Sequence, residues 1–232
     1  MKLVISFCNT KGGTSKSALS SLIALSLFER GIRVGLLDTD VEQRTSSKWV
    51  RCAEPRIPVS VEKDARLIKA EVEKLKQPAD VVIIDTPGSS SPASFTAALI
   101  ADIAIVPLQP SETDVDALEL ALAAISVAHE ATAGTKPETF IVLTRTAVRD
   151  VQARNLRREL EANLPYKITR TEMYDYVVFR SAMRKYLSQI GGKDARKAEA
   201  NLNSLISEIL CEKLSAIDGR SLRPSFDKAS NE

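Results

Sequence analysis

The stretch Cys8-Asn9-Thr10-Lys11-Gly12-Gly13-Thr14-Ser15-Lys16-Ser17 constrains this chain most. It follows the apolar run Leu3-Val4-Ile5-Ser6-Phe7 and precedes an apolar helical pattern from Ala18-Leu19 to Leu27-Phe28. Strand, glycine turn and helix, in that order, is the setting in which a loop can hold phosphate. The glycines let the backbone curl until several N–H groups face one anion. A helix that starts near Lys16 adds unpaired N–H groups and the positive end of its dipole. Lys16 would then offer a point charge to the β- and γ-phosphates, and Ser17 a hydroxyl to Mg2+. A plain turn with two incidental surface lysines is the alternative, and the rest of the chain has to decide between them.

The same alternation continues. Residues 33–40, 79–88, 102–108 and 139–144 read as buried strands, with 57–61 and 166–168 as short ones. Val81-Val82-Ile83-Ile84 before Asp85 is apolar at four successive positions, the mark of a strand covered on both faces. Helical patterns cover 16–30, 64–77, 92–100, 112–132, 151–164, 175–189 and 195–215, with a short helix carrying Trp49 near 41–53. In 64–77 the apolar face is Leu67, Ile68, Val72 and Leu75. These elements predict an α/β fold, a doubly wound and mostly parallel sheet with helices on both faces. Residues 1–217 are expected to form one domain and 218–232 a loose tail.

Right-handed crossovers gather the strand C-termini on one edge. Three loops there carry acidic or phosphate-binding residues: 9–17, 38–43 and 85–90. Asp85 closes its apolar run as a Mg2+-holding aspartate would, and a turn-capping role is the alternative.

Composition excludes several classes. The three cysteines, Cys8, Cys52 and Cys211, form no CxxC pair, and His129 is the single histidine, which argues against zinc and disulfide frameworks. No apolar run reaches the ~18 residues that span a bilayer. With a strand at the N-terminus and no signal peptide, a cytoplasmic protein is expected. The net charge is only +2, yet residues 145–197 hold 13 Lys or Arg against 6 Asp or Glu. That local +7 suggests a polyanionic partner, or a set of solvated helix faces.

The loop departs from G-x-x-x-x-G-K-[ST], with Thr10 and Ser15 at the glycine positions and an extra lysine, Lys11. Ser15 would have to take a positive φ at some steric cost. This K-G-G-x-x-K-[ST] arrangement resembles the deviant Walker A loop of the ParA/MinD family of ATPases, nearest in style to the small ParF-like partition members. Asp38-x-Asp40 resembles that family's first switch, here followed by Val41-Glu42-Gln43 rather than Pro-Gln, and Thr86-Pro87-Gly88 its second. The resemblance implies a P-loop ATPase with ATP and Mg2+ as cofactors. It assigns ATP binding to Lys11, Gly12, Gly13, Thr14, Ser15, Lys16, Ser17 and Ala18, with Pro107 and Arg145 near the adenosine. Lys11, Lys16 and Asp40 would serve hydrolysis, Lys11 reaching the partner subunit's nucleotide and Asp40 positioning the attacking water. Ser17, Asp38 and Asp85 would serve the metal.

The family further implies an ATP-dependent homodimer that binds DNA without sequence preference, on the nucleoid. A ParB-like or other small adaptor protein would stimulate hydrolysis and link the ATPase to a plasmid, chromosome region or protein cargo. Arg154, Arg157, Arg158, Arg170, Arg180, Arg184 and Lys185 are the candidate phosphate contacts. A membrane positioner of the MinD type is the main alternative. It would want an amphipathic C-terminal anchor, and Leu222-Arg223-Pro224-Ser225-Phe226-Asp227 is a poor one, so no membrane partner is expected. A metal-cluster-loading ATPase would want clustered cysteines, and a nucleotide-binding module with weak hydrolysis would share every motif above.

Overall fold

Strands whose side chains are apolar on both faces must find cover on both faces, and this sets the architecture. The computed structural model describes residues 2–181 and 185–218. Its strands are β1 (Leu3–Phe7), β2 (Val34–Asp38), β3 (Val59–Val61), β4 (Val81–Asp85), β5 (Ile103–Leu108), β6 (Glu138–Thr146), β7 (Lys167–Ile168) and β8 (Met173–Tyr174). They form one sheet in the order β3-β2-β4-β1-β5-β6-β7, with β8 also on β6. All of these pairings are parallel. Every residue of β1, β2, β4 and β5 is buried, which only helices on both sides allow.

The helices are α1 (Lys16–Glu29), α2 (Thr45–Ala53), α3 (Ala65–Lys76), α4 (Pro92–Ile100), α5 (Glu112–Ala131), α6 (Val151–Asn163), α7 (Val177–Ser181) and α8 (Lys193–Asp218). Leu3, Ile5 and Phe7 face a core shared with Leu19 and Ile23 of α1 and Leu205 and Leu210 of α8. Val4 points the other way, with Val82 and Ile84, toward Ile68 and Val72 of α3 and Ala97 of α4. Ala104, Val106 and Leu108 meet α5 and α6 through Leu118, Ile125 and Leu160 on that second face. Alternation along each strand thus splits the core into two layers. The chain winds outward from β1 in both directions, so β1 lies at the switch point where the crevice opens.

Three expectations change. Residues 175–189 are not one helix: α7 is short, a 3-10 turn occupies Leu187–Gln189, and residues 182–184 lie outside the described residues. Tertiary contacts override the helical pattern there. Tyr176, Phe179 and Tyr186 all pack on the α1–α8 core, and Tyr186 also donates to Glu54 Oε2 at 2.7 Å. Leu67 is 48 % exposed, whereas Ile68, Val72 and Leu75 are buried. The buried stripe runs i, i+4, i+7 from Ile68, and Leu67 is turned about 100° away from it. β8 is too short to show in the sequence and follows a register shift between Thr144 and Thr146. The expected tail, 218–232, falls outside the described residues from 219 onward. Among the described residues no helix is long and apolar enough to cross a membrane.

The α3 stripe gives a direct check. Ile68→Ala should lower unfolding stability by about 2–5 kcal/mol, and Leu67→Gln should change it by no more than about 0.5 kcal/mol, read as urea midpoints.

Candidate functional site: a phosphate loop with two lysines

The loop after β1 is held from behind. Asn9 is buried, donates from Nδ2 to the Pro107 carbonyl at 2.7 Å and accepts the Lys11 N–H on Oδ1 at 3.0 Å. One side chain therefore ties the loop to the end of β5 and starts its first turn. Gln109 Nε2 donates to Gly13 O at 2.7 Å, and Thr144 Oγ1 to Thr14 O at 3.3 Å. Gly13 sits at φ 82° and Ser15 at φ 76°, both left-handed. For Ser15 that conformation costs about 1–2 kcal/mol, the steric cost that its side chain implied. Lys16 opens α1, is buried, and donates from Nζ to Lys11 O at 2.8 Å across the loop. Burial pushes its pKa down, while Asp85, Cys8 and Asp40 push it back up. Ser17 and Ala18 follow in the first turn of α1.

The facing wall is the end of β4. Gly88 approaches so closely that a Cβ there would lie 2.6 Å from Gly12 Cα, which only glycine permits. Asp85 is fully buried, and among the described residues neither carboxylate oxygen has a hydrogen-bond partner. Burial first, then the Asp38 charge, pushes its pKa up to about 7; Ser17, Ser46 and Lys16 pull it down. Ser17 and Ser46 lie close enough to act electrostatically without completing a hydrogen bond to it. An unpartnered buried carboxylate beside a serine hydroxyl and a loop built for anions is a donor set that suits a hard divalent cation.

Asp38 lies beside Asp85 in the β2–β4 register, with both of its oxygens engaged. Its Oδ1 accepts Asp40 N–H and its Oδ2 Ser47 N–H, each at 3.0 Å, so both oxygens shape the turn into α2. Asp40 is half-buried, and its Oδ1 accepts Gln43 N–H at 3.1 Å. Thr39 anchors this turn to Asp85 O through Oγ1 at 3.0 Å, and Thr86 Oγ1 reaches Phe7 O at 2.6 Å. The three loops are thereby joined backbone to side chain.

Lys11 points away from Lys16. Its Nζ meets Asp114 Oδ2 and Thr113 Oγ1 of α5, both at 2.7 Å, and Ser111 also donates to Asp114. The Asp114 side chain is 3 % exposed and that of Lys11 35 %. The sequence assigned neither Asn9 nor Asp114 these partners. An Asn just before the loop and an acid in the next long helix's first turn were the available signals. Arg145 is exposed at φ 53°, where the β6 register shifts. Pro107 lies inside β5, within the 102–108 strand that the sequence predicts, and is buried. It breaks no ladder there, because the last β1–β5 pair is Phe7–Ile105 and the Pro107 carbonyl turns to Asn9.

The basic region divides. Arg154 and Arg158 are exposed on α6, and Arg170 and Lys185 are exposed beyond it. Arg157 does not join them: it pairs with Glu172 at 3.0 Å, donates to Thr169 O, and holds the β7–β8 segment on α6. Arg184 and the side chain of Arg180 lie outside the described residues.

A family model, the CobQ/CobB/MinD/ParA nucleotide binding domain, matches residues 5–189. Maintenance of carboxysome distribution protein A of Halothiobacillus neapolitanus is 28 % identical over 214 residues, covering 89 % of this chain and 95 % of that protein. Among solved structures, a Cyanothece McdA variant in complex with ATP superposes with a TM-score of 0.68 at 14 % identity, over 90 % of this chain and 96 % of that one. Cobyrinic acid a,c-diamide synthase of Mycobacterium smegmatis, with an ATP analogue and magnesium, gives 0.66 at 18 % identity, over 95 % and 98 %. The two structures share the fold. The family match spans the loop, both switch segments and all eight strands bar the first residues of β1, and on that extent the chain belongs to the CobQ/CobB/MinD/ParA nucleotide binding domain family.

Proposed function

We propose that this chain is a Mg2+-dependent ATPase of the ParA type, with residues 1–217 as its single catalytic domain. It forms a sandwich homodimer with ATP, binds DNA without sequence preference, and positions a plasmid, chromosome region or protein assembly. A small adaptor protein stimulates its hydrolysis. The observation that carries the reading is the divergence of two lysines on one glycine loop: Lys16 buried over the loop, Lys11 turned outward. Lys16 and the loop N–H groups from Gly12 to Ala18 would neutralise the phosphates. Lys11 is free to reach a second subunit only after leaving Asp114. The ATP and magnesium bound by structural relatives support the choice of ligands.

Ser17 and Asp85 would hold Mg2+, which supplies charge neutralisation at the phosphate oxygens when bound. Asp38 adds negative charge beside them while fixing the turn that carries Asp40. Asp40 would orient the attacking water; phosphoryl transfer asks for positioning and charge more than for a strong base. Arg145, exposed at the rim, is suited to the adenosine, and Gln109 is better placed there than the buried Pro107. For DNA, Arg154 and Arg158, exposed and not ion-paired among the described residues, are the strongest of the candidates, with exposed Arg170 and Lys185 farther along the chain.

Lys16→Ala should abolish ATP binding in calorimetry. Lys11→Ala should keep ATP affinity within a few-fold yet give no ATP-dependent dimer in light scattering; normal dimerisation would overturn the trans role. Lys11→Ala also removes the cation from a buried carboxylate that still accepts from Ser111, which should cost about 1–3 kcal/mol of stability. The double variant Lys11→Ala/Asp114→Asn should recover much of that stability and still not dimerise.

A pH dependence follows from Asp85. Its folded pKa, about 7, lies above the ordinary aspartate value near 4 of the unfolded chain. The folded state therefore holds the proton longer, so this group subtracts stability increasingly from about pH 4 to about pH 7 and constantly above. Asp85→Asn should raise the urea midpoint clearly at pH 8 and much less at pH 5. The same substitution should weaken Mg2+-dependent ATP binding, and in the wild type that binding should weaken as pH falls below about 7.

A further inference from the structure

A second basic surface lies on α2, away from α6. Arg44 precedes the helix, and Lys48 and Arg51 follow at spacings of four and three, so the three share one helix face. The stripe is about 10 Å long. All three residues are exposed. Each head group is held by a nearby carbonyl: Arg44 Nε by Val41 O at 2.8 Å, Lys48 Nζ by Gln43 O and Arg51 Nη2 by Val59 O, both at 2.9 Å. None of the three is ion-paired among the described residues, whereas Arg33, Arg56, Arg66 and Arg157 all are. Glu54, the acid that ends α2, is already taken by Arg56 and Tyr186. The stripe is therefore a row of unneutralised charges with part of its ordering cost already met by the fold.

Its first turn is built from the nucleotide-facing edge. Ser47 N–H donates to Asp38 Oδ2, and Arg44 N–H donates to Asp40 O at 2.8 Å. Arg44 itself is held at φ 52°. A change at Asp38–Asp40 would therefore move the start of the stripe. A helix that lies on membrane needs a broad apolar face beside its cations. Here the large apolar residue on α2 outside the core, Trp49, is half-buried, which favours nucleic-acid phosphate over lipid.

We propose that Arg44, Lys48 and Arg51 form a stripe that contacts the phosphate backbone of duplex DNA, presented by the Asp38–Asp40 turn from which α2 starts. It rests on the DNA-binding reading above for its ligand, and adds a surface on the opposite face of the sheet from Arg154 and Arg158.

The test uses the full chain with ATP and a random-sequence duplex, titrated at several salt concentrations. Compared are the wild type, Arg44→Gln/Lys48→Gln/Arg51→Gln, Lys48→Gln/Arg51→Gln and Arg154→Gln/Arg158→Gln. The double α2 variant leaves the left-handed Arg44 in place, in case its replacement disturbs the fold. The triple variant should lose at least about tenfold in affinity and flatten the log–log salt slope by about 2–3, at about 0.9 per phosphate contact. ATP affinity should stay within about twofold. Trp49 is the single tryptophan, so its fluorescence should respond to duplex in the wild type. If the wild type binds duplex and both α2 variants match it in affinity and slope, the stripe is overturned and the DNA reading stands. If the wild type binds no duplex with ATP, both are overturned; binding of phosphatidylserine-containing vesicles in that case, lost in the α2 variants, would reassign the stripe to membrane.

Discussion

A carboxylate sealed at the end of β4 without a hydrogen bond is what the rest of the site is arranged around. Asp85 cannot avoid that position: β4 is buried on both faces, and its register sets Asp85 between Phe7 of β1 and Asp38 of β2. Burying a lone carboxylate is unfavourable, so the fold surrounds it with groups that soften the charge and with a space that a cation can complete. Lys16 and Ser17 come from the first turn of α1, and Ser46 from that of α2. Backbone bonds from Thr39 and close contact from Gly88 then fix the two flanking turns to the same point.

Around this centre the polar side chains work mostly on the backbone. Asn9, Thr39 and Thr86 each bond a carbonyl of a neighbouring strand, and Gln109 and Thr144 each bond one of the glycine loop. Loops with buried polar groups need such partners, and here each partner lies on another segment at the same sheet edge. The consequence is mechanical. Asp38 spends both oxygens on the turn into α2, and α2 ends at Glu54, which receives the Tyr186 hydroxyl. The nucleotide-facing turn, a basic helix and the 185–190 segment are thus connected by hydrogen bonds through one rigid element. Lys11 shows the same economy of contact in the opposite sense, since its salt bridge to Asp114 ties a cation to α5 that the loop itself leaves outward.

Much of this was legible. The strands were readable because burial on both faces leaves runs such as Val81–Ile84, and α3 and α6 because their apolar residues keep a clear helical period. The loop residues, Asp38, Asp40 and Asp85 could be located because strand ends in a parallel sheet share an edge. Other assignments failed for local physical reasons. Leu67 and Ile68 are neighbours, and only packing tells which one faces the sheet. The 175–189 pattern looks helical because its aromatic residues fit that period, yet Tyr176 and Tyr186 are held by separate contacts to α1–α8 and Glu54. Arg157 could not be told from Arg154 and Arg158 by charge, because Glu172 is brought to it by the turn between β7 and β8. Pro107 was read inside the 102–108 strand and lies there, tolerated because β1 stops short of it; what the sequence could not show is that it is buried away from the rim.

The sequence by itself determined the element order, the parallel sheet, and the meeting of a glycine loop with three aspartates at one edge. These follow from periodicity, buried apolar runs and the handedness of crossovers, all local or nearly local. The tertiary structure alone decided which charges are paired and which are free. Asp85 is orphaned, Asp38 is occupied, Lys11 is on Asp114, Arg157 is neutralised, and Arg44, Lys48 and Arg51 are not. The state of a charge depends on what lies within a few ångströms of it, and residues as far apart in the chain as Lys11 and Asp114 become neighbours only when the sheet closes.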